Sequence, residues 1–327
     1  MATAGNFLDS YKMRILNLCG IYTILGLSMN LINGFTGLFS LGHAGFMCIG
    51  AYTTALITMP VATKEMNFFM KPLIAPLRNV VMPFLPSLIL AGLLAAFMAF
   101  LIGAPVLRLK GDYLAIATLG FGEIIRVIFT NLQSVTNGAL GLKSIPLTTN
   151  IWWSFGLTLV TIAVLLSLIN SSYGRAFKAI REDEIAAESM GIYLFKHKIM
   201  SFVIGAFFAG IGGGLMSNLI GAIDPLMFRF TTTYNILLII VLGGMGSITG
   251  TIISAFIITI AQEGLRFLDE SILGLPALPG LRMVVFSLLL MLVVLFFRHG
   301  LMGTREFGWD KLIGFFNRKP LAKGGNK

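Results

Sequence analysis

Long apolar runs separated by short polar breaks dominate the chain. Runs suited to helices cover Met13 to Ile32, Ala44 to Met59, Phe84 to Leu107, Tyr113 to Thr130, Ile151 to Ile169, Ile199 to Ala222, Thr233 to Met245, Gly250 to Phe267 and Leu281 to Phe297. Several approach the ~20 residues with which a helix rising about 1.5 Å per residue crosses roughly 30 Å of hydrocarbon. The pattern predicts an all-α, polytopic membrane helix bundle of about nine spans. Two glycine-bearing interruptions, Asn33 to Gly45 and Gly243 to Gly250, predict broken or re-entrant helices, since bare backbone at membrane depth must be satisfied by protein or a polar cavity. The proline-marked stretch Pro60 to Pro83 and the stretch Asn131 to Asn150 read as extracytoplasmic loops.

Composition removes the soluble alternative. Hydrophobic residues make up 56% of the 327 and charged residues 12%, where an ordinary soluble domain has roughly a quarter charged. Mean hydropathy is +0.88. The chain reads as one membrane domain over residues 1–327, with no polar segment large enough to bury a catalytic core. Any soluble machinery has to come from other chains.

The net charge of +10 reads as membrane topology and not as a nucleic-acid surface. If the turn at Arg108 and Lys110, the loop Ser171 to Lys198 and the basic tail 298–327 face the cytoplasm, they hold 14 of the 24 basic residues. Parity then puts the N-terminus outside. Lys12 and Arg14 oppose that weakly, which leaves open a misread first crossing or a re-entrant element before Ala44. The first residues show no basic region, short apolar core and small-residue cleavage site, so the first apolar run is expected to remain in the mature protein. Cys19 and Cys48 sit in apolar runs at no metal or redox spacing and read as packing residues.

Catalytic signatures are missing. No phosphate-binding Gly-x-x-x-x-Gly-Lys-Ser/Thr loop occurs. His43, His197 and His299 form no metal motif, and the segment Gly37 to Gly42 lacks the glycine spacing of a nucleophile elbow. Ionisable residues within spans are few. Glu123 and Arg126 lie three apart on one predicted helix, where they can neutralise each other or serve a pathway. Glu263 and Arg266 stand toward the end of the eighth run. Small residues at four-residue spacing, Gly205, Ala209 and Gly213, and again Gly246, Gly250 and Ser254, predict close helix packing.

The loop from Ser171 to Lys198 is the most informative stretch. From Arg175 it reads as one helix ending at Gly191, basic at Arg175, Lys178 and Arg181, acidic at Glu182, Asp183, Glu184 and Glu188. Ile180, Ala187 and Met190 offer an apolar stripe. Such a helix either seats in a groove of a partner protein or lies solvated at the interface.

The run GRAFKAIREDEIAAESMGI resembles the coupling motif of ABC importer permeases in the form used by the branched-chain amino-acid, LivM-type, permease family. LGLSMNLINGFTGLFSLGHAGFMCIGAY, RLKGDYLAIATLGFGEIIRVI and VLGGMGSITGTIISA are similar to the same family, in order, from about Ile24 to Phe297. The resemblance implies an importer permease in the bacterial inner membrane. Its implied partners are a second homologous permease, two ATP-binding cassette ATPases and an extracytoplasmic binding protein delivering leucine, isoleucine or valine. It implies no cofactor on this chain, with ATP and magnesium on the ATPases. It further implies that the coupling helix from Gly174 to Gly191 receives the ATPase stroke. Arg175, Lys178, Arg181, Glu182, Asp183 and Glu184 would be its charged residues, and Ala186, Ala187 and Gly191 small residues that let it seat closely.

Broken-helix ends can meet the charges of a small zwitterion without fixed ions. Candidate pathway residues are Asn30, Asn33, Thr36, Ser40 and His43, with Tyr113, Thr118 and Glu123. Two rival functions remain at this stage: a permease of the same superfamily for urea, an amide or a sugar, and a self-sufficient ion-coupled carrier or channel.

Overall fold

A computed structural model describes residues 10–109, 111–265, 284–285, 287–288, 291 and 300–303. Among these residues the architecture is helical, with one isolated antiparallel bridge, Leu142 to Ile223. Helix α1 (Ser10–Asn30) runs into a π-helical turn, Leu31–Phe35. Non-helical backbone follows to Gly42, and α2 (His43–Thr58) starts there. A small cap of α3 (Val61–Asn67) and α4 (Ala75–Arg78) precedes α5 (Phe84–Val106) and α6 (Asp112–Asn131). After the short α7 (Gln133–Thr136) comes α8 (Ile151–Asn170), whose first turn is capped by the Asn150 side chain accepting from Trp153 N. The middle loop holds α9 (Ser172–Glu182) and α10 (Glu184–Ser189). Beyond it lie α11 (Leu194–Ile220), α12 (Phe230–Gly243) and α13 (Ile248–Gly264).

Eight of the nine apolar runs coincide with helices. The ninth, Leu281 to Phe297, falls mostly outside the described residues, as does most of the tail 298–327. Among the described residues five helices are long and apolar enough to cross a membrane: α1 with its π turn, α5, α6, α8 and α11. Three runs yield shorter helices, α2 with 16 residues, α12 with 14 and α13 with 17. The described residues thus give five long helices and these three shorter ones, which does not establish the expected number of about nine crossings, some of them short. The physical reason for the shorter helices lies at the breaks. Segment 36–42 and the Gly244–Ser247 turn take up chain that a continuous helix would have used, so neighbouring helices start partway along the bundle.

Helix α11 sits against α1, α2 and α5, and most of its residues are buried. Small residues make this possible. A Cβ added at Gly50 of α2 would stand 2.0 Å from Gly210 O of α11, and one at Gly213 would stand 2.1 Å from Met47 O. Close backbone approach replaces the hydrophobic drive that lipid does not supply. Polar side chains add cross-helix bonds: Ser154 of α8 donates to Asn17 of α1, and Thr158 donates to Gly20 O. The outer faces of α5, α6 and α8 carry exposed Leu93, Phe97, Ile116, Leu159 and Val160, as lipid contact requires. Cys19 and Cys48 are buried free thiols.

Contacts sort the loops by end. The Arg108 guanidinium stands 6.0 Å from the Phe195 ring at the start of α11, Arg181 of α9 reaches Gly34 O at the π turn, and Leu301 N donates to Leu242 O at the end of α12. Arg108, the middle loop and residues 300–303 of the tail thus share one end. At the other end Tyr11 donates to Glu263, and the Leu142–Ile223 bridge closes the loops.

Candidate functional site: the coupling loop and the breaks beneath it

The middle loop folds as two helices and not as the single one expected from Arg175 to Gly191. Asp183 is the corner. Its backbone is extended (φ −157°, ψ 114°), and its carboxylate accepts from Ile185 N and Ala186 N. An aspartate in this position satisfies amides that would otherwise lack partners and complements the positive end of α10. The run of three acids therefore ends one helix and starts the next. Gly191, at φ +82° with open space around it, closes α10 by a turn.

The expected apolar stripe divides. Ile180 and Ala187 are buried against the bundle, whereas Met190 is 84% exposed, beside Ile185 at 75% and Tyr193 at 79%. Ile185 and Tyr193 were not among the sequence candidates. Their signal was the presence of large apolar residues inside an otherwise charged loop.

The charged residues have distinct surroundings. Arg175 and Lys178 are exposed on α9. Arg181 turns inward: its Nη1 donates to Gly34 O at 3.1 Å, while Nη2 pairs with Glu182 at 2.6 Å. Glu184 pairs with Lys198 of α11 at 2.5 Å, and the Lys198 side chain is only 5% exposed. Gly174 lies against the end of α8, where a Cβ would stand 2.1 Å from Ile169 O. The acid pair Glu182 and Glu184 thus faces partners on this chain, and Glu182 remains 72% exposed.

Arg181 sits over the place where both breaks meet. The Asn30 amide donates to Ser247 O at 2.9 Å and Thr251 Oγ1 at 2.7 Å, and its Oδ1 accepts from Gly246 N at 2.9 Å. This ties the π turn to the α12–α13 turn. Gly246, at φ +90°, permits the turn that offers its N–H to Asn30. A Cβ there would stand 2.6 Å from the Arg181 guanidinium. One side chain of the loop therefore touches both interruptions.

The expected pathway residues mostly gather round the 31–42 break. Asn33 and Ser40 exchange two bonds, Nδ2 to Ser40 O at 3.2 Å and Ser40 N to Oδ1 at 3.3 Å. Thr36 donates to Leu31 O, and Thr118 of α6 accepts from Leu41 N at 3.0 Å. Ser28 Oγ and His43 Nε2 lie 2.8 Å apart, and Ala44 N donates to Thr233 Oγ1 of α12. These groups hold the break in shape. Glu123 pairs with Arg126 at 2.7 Å and borders a narrow crevice with Leu41, Phe228 and Thr233. Tyr113 stands apart, 74% exposed at the start of α6. Sequence reading missed Ser28, Thr233, Ser247 and Thr251, whose roles depend on contacts far apart in the chain. No group of three or more His, Cys, Asp or Glu suited to a metal ion occurs among the described residues.

Residues 12–295 match the family described as branched-chain amino acid transport system, permease component. The chain is 36% identical to the high-affinity branched-chain amino acid transport system permease protein LivM of Escherichia coli K12, covering 87% of this chain and 71% of that protein. It is equally identical to LivM of Salmonella typhimurium, over 81% of this chain and 66% of the relative. The probable LivM permease of Methanocaldococcus jannaschii is 26% identical, over 86% of this chain and 90% of the relative. The chain thus spans about two thirds to nine tenths of these proteins' lengths. No solved structure matches it. Its long apolar helices make it a multi-pass membrane protein, and it belongs to the branched-chain amino acid transport permease family.

Proposed function

We propose that the chain is the permease subunit of an ATP-driven importer that moves branched-chain amino acids across the cell inner membrane. A second homologous permease completes the passage, and an extracytoplasmic binding protein delivers the solute. Two ATPase subunits, holding ATP and magnesium, supply the energy. The carrying observation is the two-faced middle loop: exposed Ile185 of α10 and Met190 just past its end point outward, while Arg181 and Glu184 grip the bundle inward.

Exposed apolar anchors on a short helix suit insertion into a groove of a partner. The ATPase would seat on the outer face, and its movement would reach the breaks through Arg181 and reach α11 through Lys198. Reorienting the short helices α2, α12 and α13 then opens the passage to alternate sides. Broken-helix backbone suits a small apolar zwitterion, because half-helix ends meet its carboxylate and ammonium. The catalysed event is translocation, and phosphate chemistry stays on the partner chains.

The test is uptake by the reconstituted permeases and ATPases. Ile185→Asp together with Met190→Asp is expected to release the ATPase and reduce leucine uptake at least ten-fold, with the permease still inserted. Undiminished ATPase association and uptake in that variant would overturn the docking assignment. Leucine, urea and a sugar offered with their binding proteins separate the solute classes.

A further inference from the structure

A cavity of about 270 Å³ lies where the middle loop meets the bundle, and it is lined on two chemically different sides. Leu166 and Ile169 of α8, Phe35 of the π turn and Ile248 of α13 form an apolar wall. Lys178 and Arg181, one turn apart on α9, form the other. The two cations face the same space because they are three residues apart on one helix. Arg181 already pairs with Glu182. Lys178 has no ion pair among the described residues, leaving net positive charge at the cavity.

The cavity's depth is set by α8, which ends at Asn170. Its basic side therefore lies at the membrane surface, and its apolar side lies within the last turn of the span. Leu166 is 40% exposed, and α8 and α13 touch through one ring pair, the Phe155 and Phe256 centroids standing 6.3 Å apart. One turn further along each lining face lie Ile162 of α8 and Ile252 of α13, both partly buried apolar residues.

We propose that this cavity binds the phosphate headgroup of an anionic phospholipid, with an acyl chain following the apolar wall. A basic pocket between spanning helices on the cytoplasmic side is a physically suitable lipid headgroup site. A free phosphate shares the charge but has no use for Leu166, Ile169 and Ile248, so the lipid is the better fit. The site needs only that the helices span a bilayer and is independent of the transported solute. Because Arg181 lines it and also holds Gly34 O, occupancy bears directly on the contact between the loop and the breaks.

The test is retention of phosphatidylglycerol by the full chain purified in mild detergent, read by native mass spectrometry. Lys178→Ala is expected to lower retention about five-fold, as the loss of one lysine near an anionic headgroup implies. Lys178→Arg should keep it, and Arg175→Ala, on the same helix but outside the cavity lining, should leave it unchanged. Phosphatidylcholine should not substitute. Equal loss in Arg175→Ala would reduce the effect to general surface charge and overturn the site, as would unchanged retention in Lys178→Ala. Displacement of the lipid by equimolar inorganic phosphate would assign the cavity to a free anion instead.

Discussion

Arg181 shows how a single side chain can serve a distant structure. Its guanidinium donates to Gly34 O and packs beside Gly246, so its removal leaves a carbonyl of the π turn without its charged donor. A hydrogen bond to a charged group contributes about 1.5–3 kcal/mol. Arg181→Ala is expected to leave the ATPase bound and hydrolysing while uptake falls about ten-fold or more, a ratio read from paired uptake and phosphate-release assays. Arg181→Lys should recover part of the uptake, since an ammonium reaches one acceptor but lacks the planar fork. Equal loss of hydrolysis and uptake would show that Arg181 acts at the ATPase contact instead. The sequence made its charge and its membership of the loop legible. Its inward direction was not legible, because that depends on Gly34, 147 residues away. The same limit applied to Asn30, whose three partners lie in the α12–α13 turn and the first turn of α13.

At the scale of elements, hydropathy located the helices well and the corner at Asp183 poorly. Periodicity carried the apolar and charged positions smoothly from Arg175 to Gly191, but a side chain capping two amides outweighs that continuity. Substituting Asp183 therefore disturbs the cap as well as any partner contact, and its loss alone should cost about 1 kcal/mol. The Gly50–Gly210 approach was legible only as a tendency towards small residues. Gly50→Val is expected to separate α2 from α11 and reduce the yield of folded protein, measured by detergent-solubilised thermal stability.

The outer cap offers a pH test. Lys64 is buried and donates to Leu77 O at 2.9 Å and Val80 O at 2.6 Å, and desolvation holds its ammonium below the ordinary lysine value of 10.5. Between that lowered value and 10.5, the unfolded cap binds more protons than the folded one, so stability rises with pH across the window. Hydrogen exchange in segment 61–80, corrected for intrinsic rate, should slow as pH climbs towards 10.5. Lys64→Met should abolish the trend. A flat profile in the unaltered chain would contradict the desolvation account.

For the whole molecule, the basic residues predicted the grouping of the ends. Arg108, the middle loop and Leu301 meet at one end, and Tyr11 and the Leu142–Ile223 bridge lie at the other. Single cysteines introduced by Glu188→Cys and Lys143→Cys should react with an impermeant maleimide from opposite sides of the membrane, Lys143→Cys in intact cells and Glu188→Cys only after disruption. The reverse pattern would invert the orientation and remove the ATPase reading. Crossing number was less legible than the grouping of the ends. Apolar composition reports burial in lipid or in protein alike, and α2, nearly wholly enclosed, meets the second description.

The middle loop has two inward holds on different helices: Arg181 on the end of α1 through Gly34, and Glu184 on the start of α11 through Lys198. Between them stands one extended residue, Asp183. A force on the tip is therefore divided as in a yoke, and any inequality between its two arms becomes a shear of α11 along α1. A straight push from below would then emerge within the membrane as a sideways slip.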